Sequence, residues 1–199
     1  MKDRSELFTI FQNFYNKIQT QFGHLIRILR SDNAKEYFFA SFNSFMASHD
    51  MIHQSICSYT PQQNSIAERK YHHIIETART LLLHANASLK FWGDVVLIAS
   101  YLINRMPSSV LNNQIPHSLL FPKDPLYIVP LRVFGSTCFV HDLSSSLDKL
   151  FLCAIKYIFL GYSRVQKGYR CYSPSTHRFY MFVDVTFFED TLFQLTGGA

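Results

Sequence analysis

LIRILRSDN (25–33) is the stretch on which the reading of the fold turns. LIRILR (25–30), short and rich in Ile and Leu, reads as a strand, and the polar Ser31, Asp32 and Asn33 end it. They open a second helix with Phe38, Phe42, Phe45 and Met46 on its inner side. Upstream, Leu7, Phe8, Phe11, Phe14, Tyr15, Ile18 and Phe22 recur at helical spacing over Ser5 to Phe22, and Gly23 is placed to stop that helix. Downstream, a strand from about Ile52 to Ser58 runs into the turn at Thr60-Pro61. Next comes a long helix, Ser65 to Ala85, with Ala67, Tyr71, Ile74, Ile75, Ala78, Leu81 and Leu82 in one stripe. Another, Leu89 to Arg105, carries the only tryptophan, Trp92, read as a core residue. The order helix–strand–helix–strand–helix–helix belongs to an α/β layer packing.

After Met106 the character changes. Prolines at 107, 116, 122, 125 and 130 mark a connector. From Arg132 short β-rich runs follow: VFGSTCFVH (133–141), AIKYIFLGYS (154–163), GYRCYSP (168–174) and HRFYMFVDVTFF (177–188). They predict a small β-barrel. The expected organisation is therefore 1–106, an α/β module; 107–131, a Pro-rich connector; 132–190, the barrel; and 191–199, a tail.

Composition narrows the function classes. Hydrophobic residues at 48% and aromatics at 16% supply a core and exclude disorder. The longest apolar runs fall far short of a membrane span, and the first helix is too charged for a signal peptide, so no membrane partner is expected. The expectation is a soluble protein, nuclear or cytoplasmic. A net charge of +5 with nine further histidines leans towards a polyanion. Cys57, Cys138, Cys153 and Cys171 form no CxxC pair and no short Cys/His ligand spacing, which points to reduced, mostly buried thiols rather than zinc.

Two carboxylates carry the candidate chemistry. Asp32 stands where a strand meets a loop, and Glu68 lies in the first turns of the long helix, with 35 residues between them. Two-metal phosphoryl transfer needs carboxylates converging from different elements on ions about 3.5–4 Å apart. At 100° per residue from Ala67, Glu68 falls on the edge of the apolar stripe, about 100° round, where it can turn towards a cleft. Plainer readings stand beside this one. Ser65-x-x-Glu68 and Asn33-x-x-Glu36 are both capping-box patterns, which would leave Glu68 satisfying backbone donors and Asp32 an ordinary loop residue.

LRSDNAKEY (29–37) followed by YTPQQNSIAERK (59–70) resembles the motif of copia-type LTR-retrotransposon integrases. The likeness continues through FWGDVVLIASYLINRMPSSVL (91–111), VFGSTCFVH and FLGYSRVQKGYRCYSPSTHRFY (159–180), covering the chain to about Asp190. The resemblance implies an RNase H-like integrase core lacking its first strands, followed by an SH3-like β-barrel. It further implies a D,D-35-E site in which Asp32 is the second metal-binding Asp and Glu68 the catalytic Glu. The cofactor would be Mg2+ or Mn2+ in a two-metal site, and the reaction strand transfer, in which 3′-hydroxyl ends of element DNA attack a target phosphodiester. Asn64 matches a polar residue beside the site. Lys35, Arg69, Lys70 and Arg79 are candidate DNA contacts, and Arg164, Lys167, Arg170 and Arg178 alternate with Tyr162, Tyr169 and Tyr172 in a pattern suited to phosphate contact and base stacking. For the barrel residues the alternative is a solvated edge with aromatics packed inward. DNA is the implied partner, with a homo-oligomer expected from the family.

The sequence also departs from the family. The triad's first Asp belongs on a strand ahead of the first helix, and Asp3, at the entrance of that helix, does not replace it. Met1 reads as an internal methionine taken as a start. Ser65 stands for a usual Gly, Tyr71 for a usual Asn, and Phe151, Leu152 and Cys153 for a more polar segment. The expectation is an incomplete metal site, inactive alone, with apolar surface left where the first helix would pack on a fuller sheet. The rival expectation is a non-catalytic DNA- or protein-binding module. A nuclease acting on RNA–DNA hybrids shares the carboxylates but fits 59–70 poorly.

Overall fold

Gly23 ends the first helix as its position predicts. In the computed structural model it adopts φ 64° and donates its N–H to the Gln19 carbonyl at 2.9 Å. The structure describes residues 4–55, 65–141, 154–163 and 165–192. It divides into two compact units, Met1–Lys70 and Tyr71–Ala199.

In the first unit, helix α1 (Leu7–Phe22) follows a 3-10 turn, Arg4–Glu6. Strand β1 (Ile28–Ser31), helix α2 (Ala40–Ser48) and strand β2 (Ile52–Ser55) come next. The strands pair in parallel, Ile28 with Ile52 through Ser31 with Ser55. A parallel pair requires a crossover, and α2 supplies it. The core is aromatic: Phe8 and Phe11 of α1 meet Phe42 and Phe45 of α2 at ring-centroid distances of 5.1 to 6.0 Å, and Tyr15 meets Phe45 edge-on at 5.4 Å. Such pairs contribute about 0.5–1.5 kcal/mol each beyond their buried area. Phe38, expected on the inner side of the second helix, is instead exposed. It lies in a 3-10 turn, Lys35–Phe38, whose three-residue period carries it off the face that Phe42 and Met46 share. Ile28 and Ile52 also stand exposed, while Leu29 packs inward.

The second unit takes in most of helix α3 (Ser65–His84), then α4 (Trp92–Ile103) and a short α5 (Pro116–Leu120). Five strands complete it: β3 (Ser136–His141), β4 (Ala154–Tyr162), β5 (Tyr169–Ser173), β6 (Arg178–Phe182) and β7 (Thr186–Leu192). They form one antiparallel sheet in the order β6-β5-β4-β3-β7. The run 177–188, continuous in the sequence reading, breaks into two strands at a bend, residues 183–184. Ala78, Leu82, Val95, Ile98 and Ala99 from the helices share one core with Phe134, Phe159, Leu160 and Tyr169 of the β region. The packing boundary thus lies at Lys70/Tyr71, whereas the sequence changes character near residue 107.

Two further readings change. Trp92 is 37% exposed, and its neighbour Phe91, at 1%, fills the core instead. Phe91 closes a 3-10 turn (Leu89–Phe91) and meets Tyr172 edge-on at 5.0 Å, so the turn before α4 decides which ring points in. The Pro-rich stretch 107–131 is also more than a linker. Pro116 opens α5, where its fixed φ and missing N–H cost nothing, Val129 is buried, and Arg105 Nε donates to the Leu126 carbonyl at 2.8 Å.

Candidate metal and nucleic-acid site

Asp32 follows the last residue of β1 and is exposed. Parallel pairing brings the carboxyl ends of β1 and β2 to one edge, so Asp32 stands at the rim of the sheet. Its Oδ1 accepts the Ala34 N–H at 3.2 Å, which holds the carboxylate over the turn leading away from the strand. Ser31, 6% exposed, anchors that strand end. Its Oγ donates to the Asp32 carbonyl at 2.9 Å and lies 2.8 Å from His53 Nε2. A hydroxyl has one proton, so giving it to Asp32 makes His53 Nε2 the donor to Oγ.

The capping box expected at Asn33-x-x-Glu36 does not form: the 3-10 turn has no side-chain cap, and Glu36 pairs with Arg4 at 3.1 Å. A hydrogen bond from its own backbone N–H, with help from the Arg4 guanidinium, holds the Glu36 carboxyl below its usual range. Burial pushes the Tyr37 hydroxyl up, and the nearby charges of Asp32 and Glu36 push the same way.

Glu68 is exposed in the first turn of α3, with exposed Arg69 and Lys70 behind it. Lys35 is exposed in the turn after Asp32. Arg79 is exposed on α3 within the second unit. Asn64 lies outside the described residues, as does the rest of 56–64, which joins β2 to α3. Among the described residues, no group of three or more His, Cys, Asp or Glu is placed to hold a metal ion. Asp32 and Glu68 are the right donor types for a hard cation, but they do not make a full donor set.

The β region resolves the other alternative. Tyr169 and Tyr172 are buried at 4% and 5%, so they cannot offer faces to bases. Arg170 Nε stands 3.0 Å from Asp94 Oδ1, at ion-pair distance without hydrogen-bond alignment. Lys167 and Arg178 remain exposed, and Arg164 lies outside the described residues. Cys138 and Cys171 are free, buried thiols with their sulfurs 3.7 Å apart, as expected; Cys57 and Cys153 are not described. The residues missed in the sequence are Ser31 and His53. Nothing in their spacing announces that pair, because it arises across a parallel register.

Residues 136–197 match the Retroviral polymerase SH3-like domain, beginning at the first residue of β3. The chain is 35% identical over 189 residues to the Retrovirus-related Pol polyprotein from transposon TNT 1-94 of Nicotiana tabacum, an alignment covering 95% of this chain and 14% of that protein. It is 34% identical over 190 residues to the corresponding polyprotein from transposon RE1 of Arabidopsis thaliana, covering 96% of this chain and 13% of that one. These homologues are copia-type Pol polyproteins of plant transposons, matched over about 95% of this chain. The chain spans about 14% of the length of these Pol relatives. A simian T-cell lymphotropic virus intasome in complex with PP2A regulatory subunit B56 gamma overlays 85% of the chain and 62% of its own at TM-score 0.47 and 12% identity, too loosely to carry an argument. This Pol segment therefore combines helices and sheet with an antiparallel, SH3-like β region. No described helix is long and apolar enough to cross a membrane.

Proposed function

We propose that this Pol segment is part of an integrase, with an RNase H-like core whose Asp32 and Glu68 serve metal-dependent strand transfer on DNA. The observation that carries the reading is the placement of Asp32: an exposed carboxylate at the carboxyl end of a parallel strand, steadied by Ser31 and His53. Glu68, exposed on the first turn of α3 and 35 residues further on, supplies the second carboxylate. Together they offer hard oxygen donors to Mg2+ or Mn2+. Such ions activate the attacking oxygen and stabilise the leaving one in phosphodiester transfer. Lys35, Arg69 and Lys70 bring positive charge to the same unit and suit the phosphates of element ends and target; Arg79, in the second unit, is a further candidate phosphate contact.

Two carboxylates hold a metal pair loosely, so this reading needs a third from outside the described residues. The test is a Mg2+- or Mn2+-dependent strand-transfer assay with element-end DNA and an Asp32→Ala control. Product that vanishes in the control supports the integrase reading. DNA binding that survives Asp32→Ala and Glu68→Ala, with no product from any form, supports a non-catalytic binding module. That second reading rests on the exposed Lys35, Arg69 and Lys70, which can contact phosphates without a metal. A homo-oligomer belongs to the integrase reading, and sedimentation with and without DNA tests it.

A further inference from the structure

A cavity of ≈ 560 Å³ opens in the second unit between α4, α5 and β4, well away in sequence from Asp32 and Glu68. Its size lies within the ~300–1,000 Å³ range of small-molecule sites. Leu97, Leu120 and Phe121 give it an apolar wall, and Arg105, Arg170 and Asp94 are its charged residues. Arg105 is held in place: its guanidinium lies 3.6 Å from the centre of the Tyr101 ring and donates to the Leu126 and Tyr101 carbonyls at 2.8 and 3.3 Å. Among the described ion pairs it has no carboxylate partner, whereas Arg170 faces Asp94 at 3.0 Å. His117, also in the lining, has a buried Nδ1 with no hydrogen-bond partner among the described residues.

These features select one ligand class. A partly buried cation fixed by neutral carbonyls and an aromatic face calls for an anion. The apolar wall calls for a hydrocarbon body. Asp94 in the lining is matched by Arg170, which leaves Arg105 as the lining cation without an ion-pair partner among the described residues, so a single negative charge suits the site. We propose that this cavity binds a small amphipathic carboxylate, its aryl or alkyl body against Leu97, Leu120 and Phe121 and its carboxylate on Arg105. The inference is independent of the integrase reading, since none of its residues takes part there.

The test titrates the full chain with phenylbutyrate, phenylbutanol and phenylbutylamine by calorimetry and saturation-transfer NMR. The acid is expected to bind about tenfold tighter than the alcohol, and the amine not at all. Arg105→Met should erase the preference for the acid. Because Arg105 also ties down the Leu126 carbonyl, a second variant guards against misfolding. Leu120 is 58% exposed, so Leu120→Glu leaves the core intact and should weaken the acid about tenfold while changing the alcohol less. Equal binding of acid and alcohol overturns the proposal. So does no binding up to about 10 mM, or a Leu120→Glu chain that binds the acid unchanged.

Discussion

The two units bury aromatic rings in different amounts and by different means. Among the described residues the first has four buried hydrophobic side chains, Tyr15, Phe42, Met46 and Met51, ringed by half-buried Phe8, Phe11 and Phe45. The second has seventeen in one continuous cluster joining helices to sheet. Among the described residues the first unit's sheet has two strands, with Ile28 and Ile52 exposed, whereas the second unit's has five in antiparallel pairing. A small core leans on each ring it contains; a large one spreads the load. The candidate carboxylates sit in the unit with the smaller core.

The largest effect that sharpens this contrast comes from truncating one buried ring in each unit. Phe42→Ala and Phe159→Ala remove rings that are 1% and 0% exposed, and each is expected to cost about 3–5 kcal/mol. In the first unit that loss should abolish protection of β1 and β2 in hydrogen exchange, while the second unit keeps residual protection after Phe159→Ala. Equal loss in both would end the comparison.

Next in size is Gly135→Ala. Gly135 has φ +79°, and a Cβ there would meet the Ala85 Cβ at 2.6 Å, where helix meets sheet. The expected cost is about 1–3 kcal/mol, read as a lower thermal midpoint for the second unit alone. Adding Ala85→Gly should recover the steric part and leave the backbone strain. Smaller again is the difference between adjacent residues: Phe91→Ala should behave as a core truncation, and Trp92→Ala should cost about 1 kcal/mol or less in chemical denaturation.

The smallest effect separates the units by pH. Glu36 has a folded pKa below its usual 4.5, so its contribution is present above that value and fades as pH falls through the folded pKa. Asp94 has a pKa raised above its usual 3.8, chiefly by burial and against the pull of Arg170. Its contribution is full below 3.8 and is lost as pH rises through the folded pKa. Acidification should therefore weaken the first unit at Glu36 and relieve the second at Asp94. Exchange rates measured for each unit across this range should show it, with Glu36→Gln and Asp94→Asn each flattening the slope of its own unit.

Much of this was legible in the residue pattern. The helix over α1 and its stop at Gly23, the strand ending before Asp32, the long α3 and the β-rich second half all follow from periodicity and turn residues, which act within a few positions of the chain. The misses have separate causes. Phe38 lies in a 3-10 turn, where a helical period does not hold, and Trp92 reads as core by residue type while the turn before it buries Phe91 instead. The stretch 107–131 was read from its prolines, although an α5 turn and a buried Val129 tie it down. Tyr169 and Tyr172, which the sequence leaves open between base stacking and inward packing, lie in the core.

By itself the sequence determined the local elements, the basic balance, the kinship with copia-type Pol polyproteins and the carboxylates worth watching. Each of these is written in composition, short-range spacing or motif. Only the tertiary structure decided that Ser31 and His53 brace the strand end at Asp32, that α4 shares its core with the β region, and that Arg105 lines a cavity with no carboxylate partner among the described residues. Those facts depend on residues far apart in the chain meeting through a strand register or a packed face, and no local pattern encodes that meeting.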